Sequence, residues 1–217
     1  MTGFNRFLGP ILATQGYAVM SLNKRDSHRY YFSSIFEHCE ADIRGAVDFM
    51  QGMGQDRVIL AGHSHGATEA VYYSAKTLDP RVCALALFGA PLDFGPAKNK
   101  FIRKARTLMK EDGYLTIKSD DGRTYAMTAR HYVSHRSPDT NNSIARWIGS
   151  VRIPILVVAH EKSLSDVVNV QTSRKILAMA KNSSRAEFKL VKGADHGFHG
   201  YEEKTAKILS DWLGRVS

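Results

Sequence analysis

The sequence has few of the features that mark membrane, disordered or disulfide-rich proteins. Its 217 residues include two cysteines and six prolines, and it has no uncharged apolar run of the roughly 18 residues that a membrane span needs. It contains no internal repeat and no low-complexity tract. With 43% hydrophobic and 24% charged residues, the composition is that of a globular domain, which excludes a disordered chain, a collagen-like repeat and a disulfide-stapled miniprotein.

The two cysteines and the first residues bear on cellular location. Cys39 and Cys83 fall in a predicted helix and a predicted buried strand, so we expect both thiols to be reduced and buried. The opening segment MTGFNRFLGP lacks the basic stretch and the apolar run of a secretory signal. We therefore expect a cytoplasmic protein.

Positive charge is concentrated in one segment. The chain has 30 Lys and Arg against 21 Asp and Glu, a net charge of +9, and residues 94–136 contribute most of that excess. The basic residues Lys98, Lys100, Arg103, Lys104, Arg106 and Lys110 lie in one predicted helix. A solvated helix face explains this pattern, and because no nucleic-acid motif accompanies it we expect no nucleic-acid partner. A basic segment could also attract an anionic substrate.

Apolar segments rich in Val, Ile and Leu alternate with segments of helical spacing. The predicted strands are Tyr17–Leu22, Arg57–Ala61, Val82–Phe88, Ile153–Ala159 and Ala186–Val191. The predicted helices are Phe4–Leu12, Ile35–Met50, Gly66–Leu78, Val167–Ala180 and Tyr201–Leu213. Alternation at this interval predicts βαβ units, and hence a three-layer α/β/α sandwich with a mainly parallel sheet.

One interval interrupts the alternation. About sixty residues separate the strands Val82–Phe88 and Ile153–Ala159, far more than a crossover needs. We predict that residues 1–93 and 153–217 form the core and that residues 94–152 form an inserted lid. Within the insertion we predict the following elements: a basic helix Pro96–Lys110, a hairpin of Tyr114–Lys118 with Arg123–Thr128, and a short helix Ser143–Ile148.

The sequence GHSHG at residues 62–66 carries the chemistry. It follows a predicted strand and opens a predicted helix, the setting in which G-x-S-x-G forms a sharp turn that exposes its serine. Gly62 and Gly66 are expected to avoid collisions within that turn, and the start of the helix favours negative charge near Ser64. The alternative is a tight turn whose serine only caps the helix.

A serine nucleophile needs a base, and the base needs an orienting group. His196 lies in GADHGF at 193–198, in a predicted loop at the same sheet edge as Ser64. We predict that His196 is the base, with His199 as the alternative and His63 and His65 in structural roles. We predict that Asp166 orients His196 through a hydrogen bond to Nδ1. The other candidate acids are Asp93, Glu161 and Asp195.

These segments resemble the α/β-hydrolase superfamily. Beside GHSHG and GADHGF, the likeness includes LALFGAPLDF at 85–94 and IPILVVAHEKSLSDVV at 153–168, in the family order of Ser, acid and His. Ser163 stands where members usually place the acid, so Asp166 requires a longer loop. The early strand ending in His-Gly, which members carry, is missing here. We therefore expect an N-terminally shortened fold.

The resemblance implies a serine hydrolase that cleaves a carboxylic ester, an esterase or lipase. The backbone amides of His65 and of the Met1–Gly3 loop, with Met1 as the second donor, are expected to form the oxyanion hole. We expect a small ester as substrate and no cofactor or metal. The alternative is a catalytically impaired relative that binds a small molecule in the same pocket. A histidine metal site is a weaker alternative, because residues i and i+2 cannot share a metal across this turn.

Overall fold

A computed structural model describes residues 3–25, 32–93, 99–118, 122, 124–163 and 166–216. Its helices are α1 (Gly3–Thr14), α2 (His38–Gly52), α3 (His65–Thr77), α4 (Asn99–Leu108), α5 (Ala129–Arg136), α6 (Ile144–Trp147), α7 (Val170–Met179) and α8 (Glu202–Leu213). Its strands are β1 (Val58–His63), β2 (Val82–Phe88), β3 (Tyr114–Lys118), β4 (Thr124–Thr128), β5 (Ile155–His160) and β6 (Ala186–Val191). Short 3₁₀ segments follow α4 at Met109–Glu111 and α6 at Ile148–Ser150.

The main sheet is parallel throughout and has the strand order β1-β2-β5-β6. Alternate residues of its central strands enter two separate cores: Leu85 and Leu87 pack with α2, α3 and α7, whereas Ala86 and Phe88 pack with α1 and α8. Every residue of β5 is buried, as expected for a strand covered on both faces. The predicted three-layer α/β/α sandwich is confirmed.

One predicted strand is wrong. Residues 17–24 form no strand and pair with no strand among the described residues, and Val19 and Met20 are exposed. An apolar run becomes a strand only when a neighbour accepts its backbone hydrogen bonds. Helix boundaries also differ by a few residues: α2 begins at His38 and α7 at Val170.

The residues between β2 and β5 form a small unit with its own core. The antiparallel hairpin β3–β4 pairs Tyr114 with Thr128 and Lys118 with Thr124, as predicted, although residues 119–121 and Arg123 lie outside the described residues. The core of this unit comes from α4, α5 and the hairpin, and consists of Ile102, Ala105, Leu115, Ala129 and Tyr132. The division of the chain into core and inserted lid stays a prediction.

The cysteines and the lengths of the helices can also be compared with the expectations from the sequence. Cys39 is buried and Cys83 is partly buried, and both thiols are free. Of the helices in the described ranges, none has the length and apolar character needed to cross a bilayer.

Candidate active site

Ser64 occupies a sharp turn between β1 and α3. Its backbone has φ 54° and ψ −124°, a conformation that costs an L-residue free energy and that clusters at functional sites. The turn is held from below, because the Ser64 N–H donates to the Phe88 carbonyl of β2 at 2.9 Å. Ser64 makes no side-chain capping bond to α3. The serine hydroxyl is therefore not used as a helix cap, and the capping alternative does not describe this turn.

The two glycines of the turn have different roles. A Cβ at Gly62 would lie 2.4 Å from the Gly66 carbonyl oxygen and 2.6 Å from the Ala67 backbone, so only glycine fits at this position. A Cβ at Gly66 would meet only a Glu69 carboxylate oxygen, at 3.9 Å. The expectation that both glycines relieve a collision is thus correct for Gly62 and wrong for Gly66.

A buried carboxylate lies behind the first turn of α3. Glu69 is 2% exposed, forms an ion pair with Lys24, and has a carboxylate oxygen 3.6 Å from His65 Nδ1. The ring of Phe36 packs edge-on against the ring of His65, with centroids 5.8 Å apart. These contacts fix His65, the first residue of α3, whose backbone amide is the candidate oxyanion donor. Met1, the other candidate donor, lies outside the described residues.

His196 lies at the same sheet edge, over the end of β2. A Cβ at Gly89 would be 3.0 Å from His196 Nδ1, and Gly89 has a φ of +52°, which favours glycine. The carbonyl of His196 is hydrogen-bonded to His63 Nε2 at 2.7 Å, so His63 has the structural role predicted for it. Since β2 supports both Ser64 through Phe88 and His196 over Gly89, the structure brings the predicted nucleophile and base to one edge.

His160 joins this site, and the sequence-based interpretation missed it. It is the last residue of β5, is 1% exposed, and its ring centroid lies 5.0 Å from that of His196 in an edge-to-face arrangement. The predicted strand ended at Ala159, so His160 was assigned to a loop. A histidine that ends an otherwise apolar strand, at the edge that bears Ser64, was the signal that could have identified it.

Burial keeps this group of histidines neutral. It lowers the pKa of His63 from 6.5 to about 4, although the bond to the His196 carbonyl acts in the opposite direction. Burial also lowers the pKa of His160 to about 4, and the neighbouring His196 adds to the shift. The pKa of His196 is lowered by burial too, with Asp195 partly offsetting it. A base must be neutral to accept a proton, so His196 is in the required state at neutral pH.

The predicted hydrogen bond from His196 to Asp166 is absent, so that geometric prediction is wrong. His196 Nδ1 is buried and has no hydrogen-bond partner among the described residues, while Asp166 is exposed and its carbonyl accepts from Asn169 at 3.0 Å. Ser163 donates instead to the Val168 carbonyl. The loop after β5 therefore closes on itself, and the catalytic role of Asp166 stays a prediction without a supporting contact.

The other candidate acids have different partners. Glu161 accepts from the Gly193 N–H at 2.8 Å and so links the loops that follow β5 and β6. Asp93 forms an isolated bridge with Ser143. Asp195 accepts from both the backbone and Nδ1 of His199, the latter at 2.8 Å, which lowers its own pKa and raises the pKa of His199. His199 thus has the Nδ1 contact to a carboxylate that a base needs, but its ring is exposed, whereas His196 Nδ1 is buried over Gly89 at the end of β2.

The unit between β2 and β5 packs against the serine turn. His135 of α5 lies 5.6 Å from the His65 ring and stacks at 4.1 Å on His131. The Phe36 N–H donates to Ser134 Oγ at 2.6 Å. Part of this unit therefore lies beside His65, the residue that follows Ser64. A separate hollow of about 580 Å³ is lined by Ile11 and residues 200–204, and none of the candidate site residues lines it.

Comparison with known proteins agrees with this fold. Residues 12–208 match the model of a family described as the alpha/beta hydrolase family, and the chain belongs to that family. A search of curated proteins finds no match.

Several solved structures have a similar fold. An esterase domain from Rhodothermus marinus is 19% identical, with a TM-score of 0.61, over 98% of this chain and 80% of that one. A proposed non-heme bromoperoxidase from Mycobacterium tuberculosis H37Rv is 14% identical, with a TM-score of 0.66, over 96% of this chain and 85% of that one. A monoacylglycerol lipase from Paleococcus ferrophilus is 14% identical, with a TM-score of 0.60, over 85% of this chain and 77% of that one. At such identities the likeness concerns the fold, and the activity must be argued from the site.

Proposed function

We propose that the protein is a serine hydrolase that cleaves carboxylic esters, with Ser64 as nucleophile and His196 as general base. The observation that carries this proposal is the backbone of Ser64, a non-glycine residue held at φ 54° at the carboxyl end of β1. Strain of this kind persists only where the surrounding structure enforces it. The collision that any side chain would cause at Gly62 supports the view that this turn is built around the serine.

The reaction would proceed in two steps, acylation of Ser64 and hydrolysis of the acyl-enzyme. Ser64 Oγ bonds to the acyl carbon while its proton passes to His196 Nε2, and the same proton then goes to the leaving alcohol as the ester bond breaks. Water next gives a proton to His196, attacks the acyl-enzyme and releases the acid, and Ser64 recovers its proton. The His65 amide would donate to the oxyanion, a contact worth about 3–4 kcal/mol of barrier in comparable sites.

Hydrolysis of a short p-nitrophenyl ester tests the proposal. We expect Ser64→Ala to lower kcat by at least about 10³-fold, because it removes the covalent route, and to leave the thermal unfolding midpoint near that of the wild type. Ser210→Ala is the matched control and should keep full activity, because the Ser210 hydroxyl lies within α8 and donates to the Lys207 carbonyl of the same helix. A folded Ser64→Ala variant that hydrolyses the ester at the wild-type rate would contradict the proposal.

A second function is favoured by one observation. No carboxylate contacts His196 Nδ1 among the described residues, and this fits a catalytically impaired relative that binds a small molecule in the same pocket. Calorimetry of the wild-type chain with an ester, run beside product analysis, separates the two functions. Saturable binding with no release of acid or alcohol would support the binding protein, and release of both products would support the hydrolase.

The charge of the insertion favours an anionic ester as the preferred substrate. The helix α4 has the sequence NKFIRKARTL, with four basic residues and no acidic ones. It shares a core with α5, and α5 contacts the serine turn through His135. We expect a p-nitrophenyl ester with a free carboxylate to have a higher kcat/KM than its uncharged analogue, and Arg103→Gln to reduce that preference. Equal kcat/KM values for the two esters would contradict the preference for an anionic substrate.

A further inference from the structure

His160 has a buried polar side chain that takes no part in the reaction steps proposed above. Its ring is 1% exposed, and neither Nδ1 nor Nε2 has a hydrogen-bond partner among the described residues. Nearly all buried polar side-chain atoms in native proteins have a partner, so a ring with two such atoms requires an explanation. Its neighbour His196 also has a buried Nδ1 without a partner.

Two of these three nitrogens, His160 Nδ1 and His196 Nδ1, lie close to the same point. A Cβ placed at Gly89 would be 3.0 Å from His196 Nδ1 and 3.3 Å from His160 Nδ1, so both atoms converge on the space above this glycine. The rings meet edge to face at 5.0 Å, and Phe198 packs against the ring of His160 with centroids 5.9 Å apart. Since both nitrogens lie within 3.3 Å of one point, a hydrogen bond between the two rings requires only that they turn towards each other.

The fold explains why His160 occupies this position. Leu156, Val158 and His160 alternate along β5, and the first two lie in the core beneath α1 and α8. By this alternation the side chain of His160 is directed to the same face of the sheet. The loop after β6 brings Phe198 and His196 to that face, so His160 lies beside the base where a triad would place its acid.

We propose that His160 takes the place of the triad carboxylate by accepting a hydrogen bond from His196 Nδ1–H. It is a positioning residue: the bond would hold His196 in the tautomer whose Nε2 can accept the proton of Ser64. That proton stays on His196 until it passes to the leaving alcohol, and none is transferred to His160. This inference rests on the proposed hydrolase function and specifies how its base is oriented.

The electrostatic surroundings keep an acceptor nitrogen on His160. Burial lowers the pKa of His160 to about 4; the neighbouring His196 adds to this shift, and the carboxylate of Asp195 opposes it without outweighing burial. His63, whose ring lies 4.7 Å from that of His196, is itself kept neutral by burial, which lowers its pKa to about 4. At neutral pH the ring of His160 is therefore uncharged and has one nitrogen able to accept. A neutral acceptor stabilises the imidazolium form of His196 less than a carboxylate does. Activity should accordingly persist to a lower pH than in an enzyme with an Asp partner.

Two variants separate an orienting role from a merely structural one. His160→Gln keeps a hydrogen-bond acceptor, whereas His160→Phe keeps a ring of similar shape and removes the acceptor. We expect His160→Phe to lower kcat at least about tenfold with little change in KM, and His160→Gln to keep most of the activity. Equal kcat values for His160→Phe and the wild type, or equal losses in two folded variants, would overturn the proposal.

¹⁵N NMR of the imidazole rings tests the proposal without turnover. We expect His196 to carry its proton on Nδ1 in the wild type and in His160→Gln, and mainly on Nε2 in His160→Phe. A His196 tautomer unchanged in His160→Phe would overturn the proposal. Because this measurement needs no substrate, an inactive wild-type chain would defeat the proposed function alone, and the tautomer would still decide the role of His160.

A third variant keeps the proposal falsifiable if His160→Phe does not fold. His160→Asp places a carboxylate beside His196, which should raise the pKa of His196. We expect the acid limb of kcat/KM to move upward by about one pH unit. A folded His160→Asp enzyme whose acid limb coincides with that of the wild type would show that residue 160 does not act on His196.

Discussion

The turn after β1 and the loop after β5 lie at the same edge of the sheet, but they differ in how they support chemistry. The turn has one conformation enforced by backbone contacts: Ser64 is held by Phe88, and Gly62 leaves no room for a side chain. In the loop after β5, Ser163 stands at the expected acid position and Asp166 is exposed. A fully buried ring that packs against the base is instead that of His160, on the strand itself.

This difference shows that the part of a site formed by backbone geometry can be recognised from the sequence, whereas the part formed by side chains from loops cannot be recognised as easily. A nucleophile turn needs glycine at one position and a strand and a helix around it, and the sequence displays all three. An orienting group needs only to touch the base. Any residue at the correct edge can meet that requirement, so the residue type and spacing do not identify it.

Removing the base should produce the largest effect at this edge. We expect His196→Ala to lower kcat for a p-nitrophenyl ester by about 10³-fold or more, because it removes the group proposed to accept the Ser64 proton. His199→Ala is the matched control from the same loop, and it should keep most of the activity because the ring of His199 is exposed and His196 is the proposed base. A dead His199→Ala enzyme beside an active His196→Ala enzyme would reverse the assignment.

Substitutions at Gly62 and Gly66 test whether backbone contacts fix the turn after β1. Gly62→Ala places a Cβ within 2.6 Å of backbone atoms that cannot move aside, so we expect it to lower the free energy of unfolding by about 3 kcal/mol or more. Gly66→Ala meets nothing closer than 3.9 Å and should cost less than about 1 kcal/mol. Denaturant unfolding of the two variants measures the difference. Similar losses for both would show that the turn does not depend on Gly62 alone.

The histidine group should make stability depend on pH. The folded-state pKa of His160 is about 4 against an ordinary 6.5, so the unfolded chain binds the proton more readily between these values. Stability is therefore complete above about pH 6.5 and falls as the pH drops towards 4, by at most about 3 kcal/mol for this residue.

His160→Gln should flatten this decline in urea unfolding measured from pH 7 to pH 4. His199→Gln is the control, because the pKa of His199 is raised rather than lowered and its removal should not flatten the decline. An unchanged slope in His160→Gln would show that His160 is not buried as a neutral ring.

The smallest effect is expected at Asp166. Because its carboxylate accepts no hydrogen bond from His196 Nδ1, Asp166→Asn should change kcat by less than about threefold. The triad prediction instead requires a loss of about 10³–10⁴-fold, as wrong-tautomer substitutions produce. Steady-state kinetics decides between them, and a loss of that size would mean that the loop rearranges to bring Asp166 to the base.

Much of the fold follows from the sequence pattern, and the misses have physical causes. The strands Ala186–Val191 and Val82–Phe88 are observed with the predicted bounds. Ala186–Val191 lies at the edge of the sheet and only Val191 in it is buried, whereas Val82–Phe88 is an inner strand with the continuous apolar pattern of a parallel strand covered on both faces. Tyr17–Leu22 has the same composition but no partner strand among the described residues. In the site, Ser64 and His196 were predictable from motif and loop position. His160 was missed: its position at the end of an apolar strand marks the correct edge of the sheet, but its packing against His196 over Gly89 depends on the folded chain.

Covalent labelling of Ser64 tests the central claim most directly. The wild-type chain, Ser64→Ala and Ser210→Ala are treated with a fluorophosphonate, and the modified peptide is identified by mass spectrometry. We predict one adduct, on Ser64, in the wild type and in Ser210→Ala, and none in Ser64→Ala, because only an activated serine attacks the phosphorus. A folded wild-type chain that remains unlabelled, or that is labelled equally in Ser64→Ala, would contradict the assignment of Ser64 as the nucleophile.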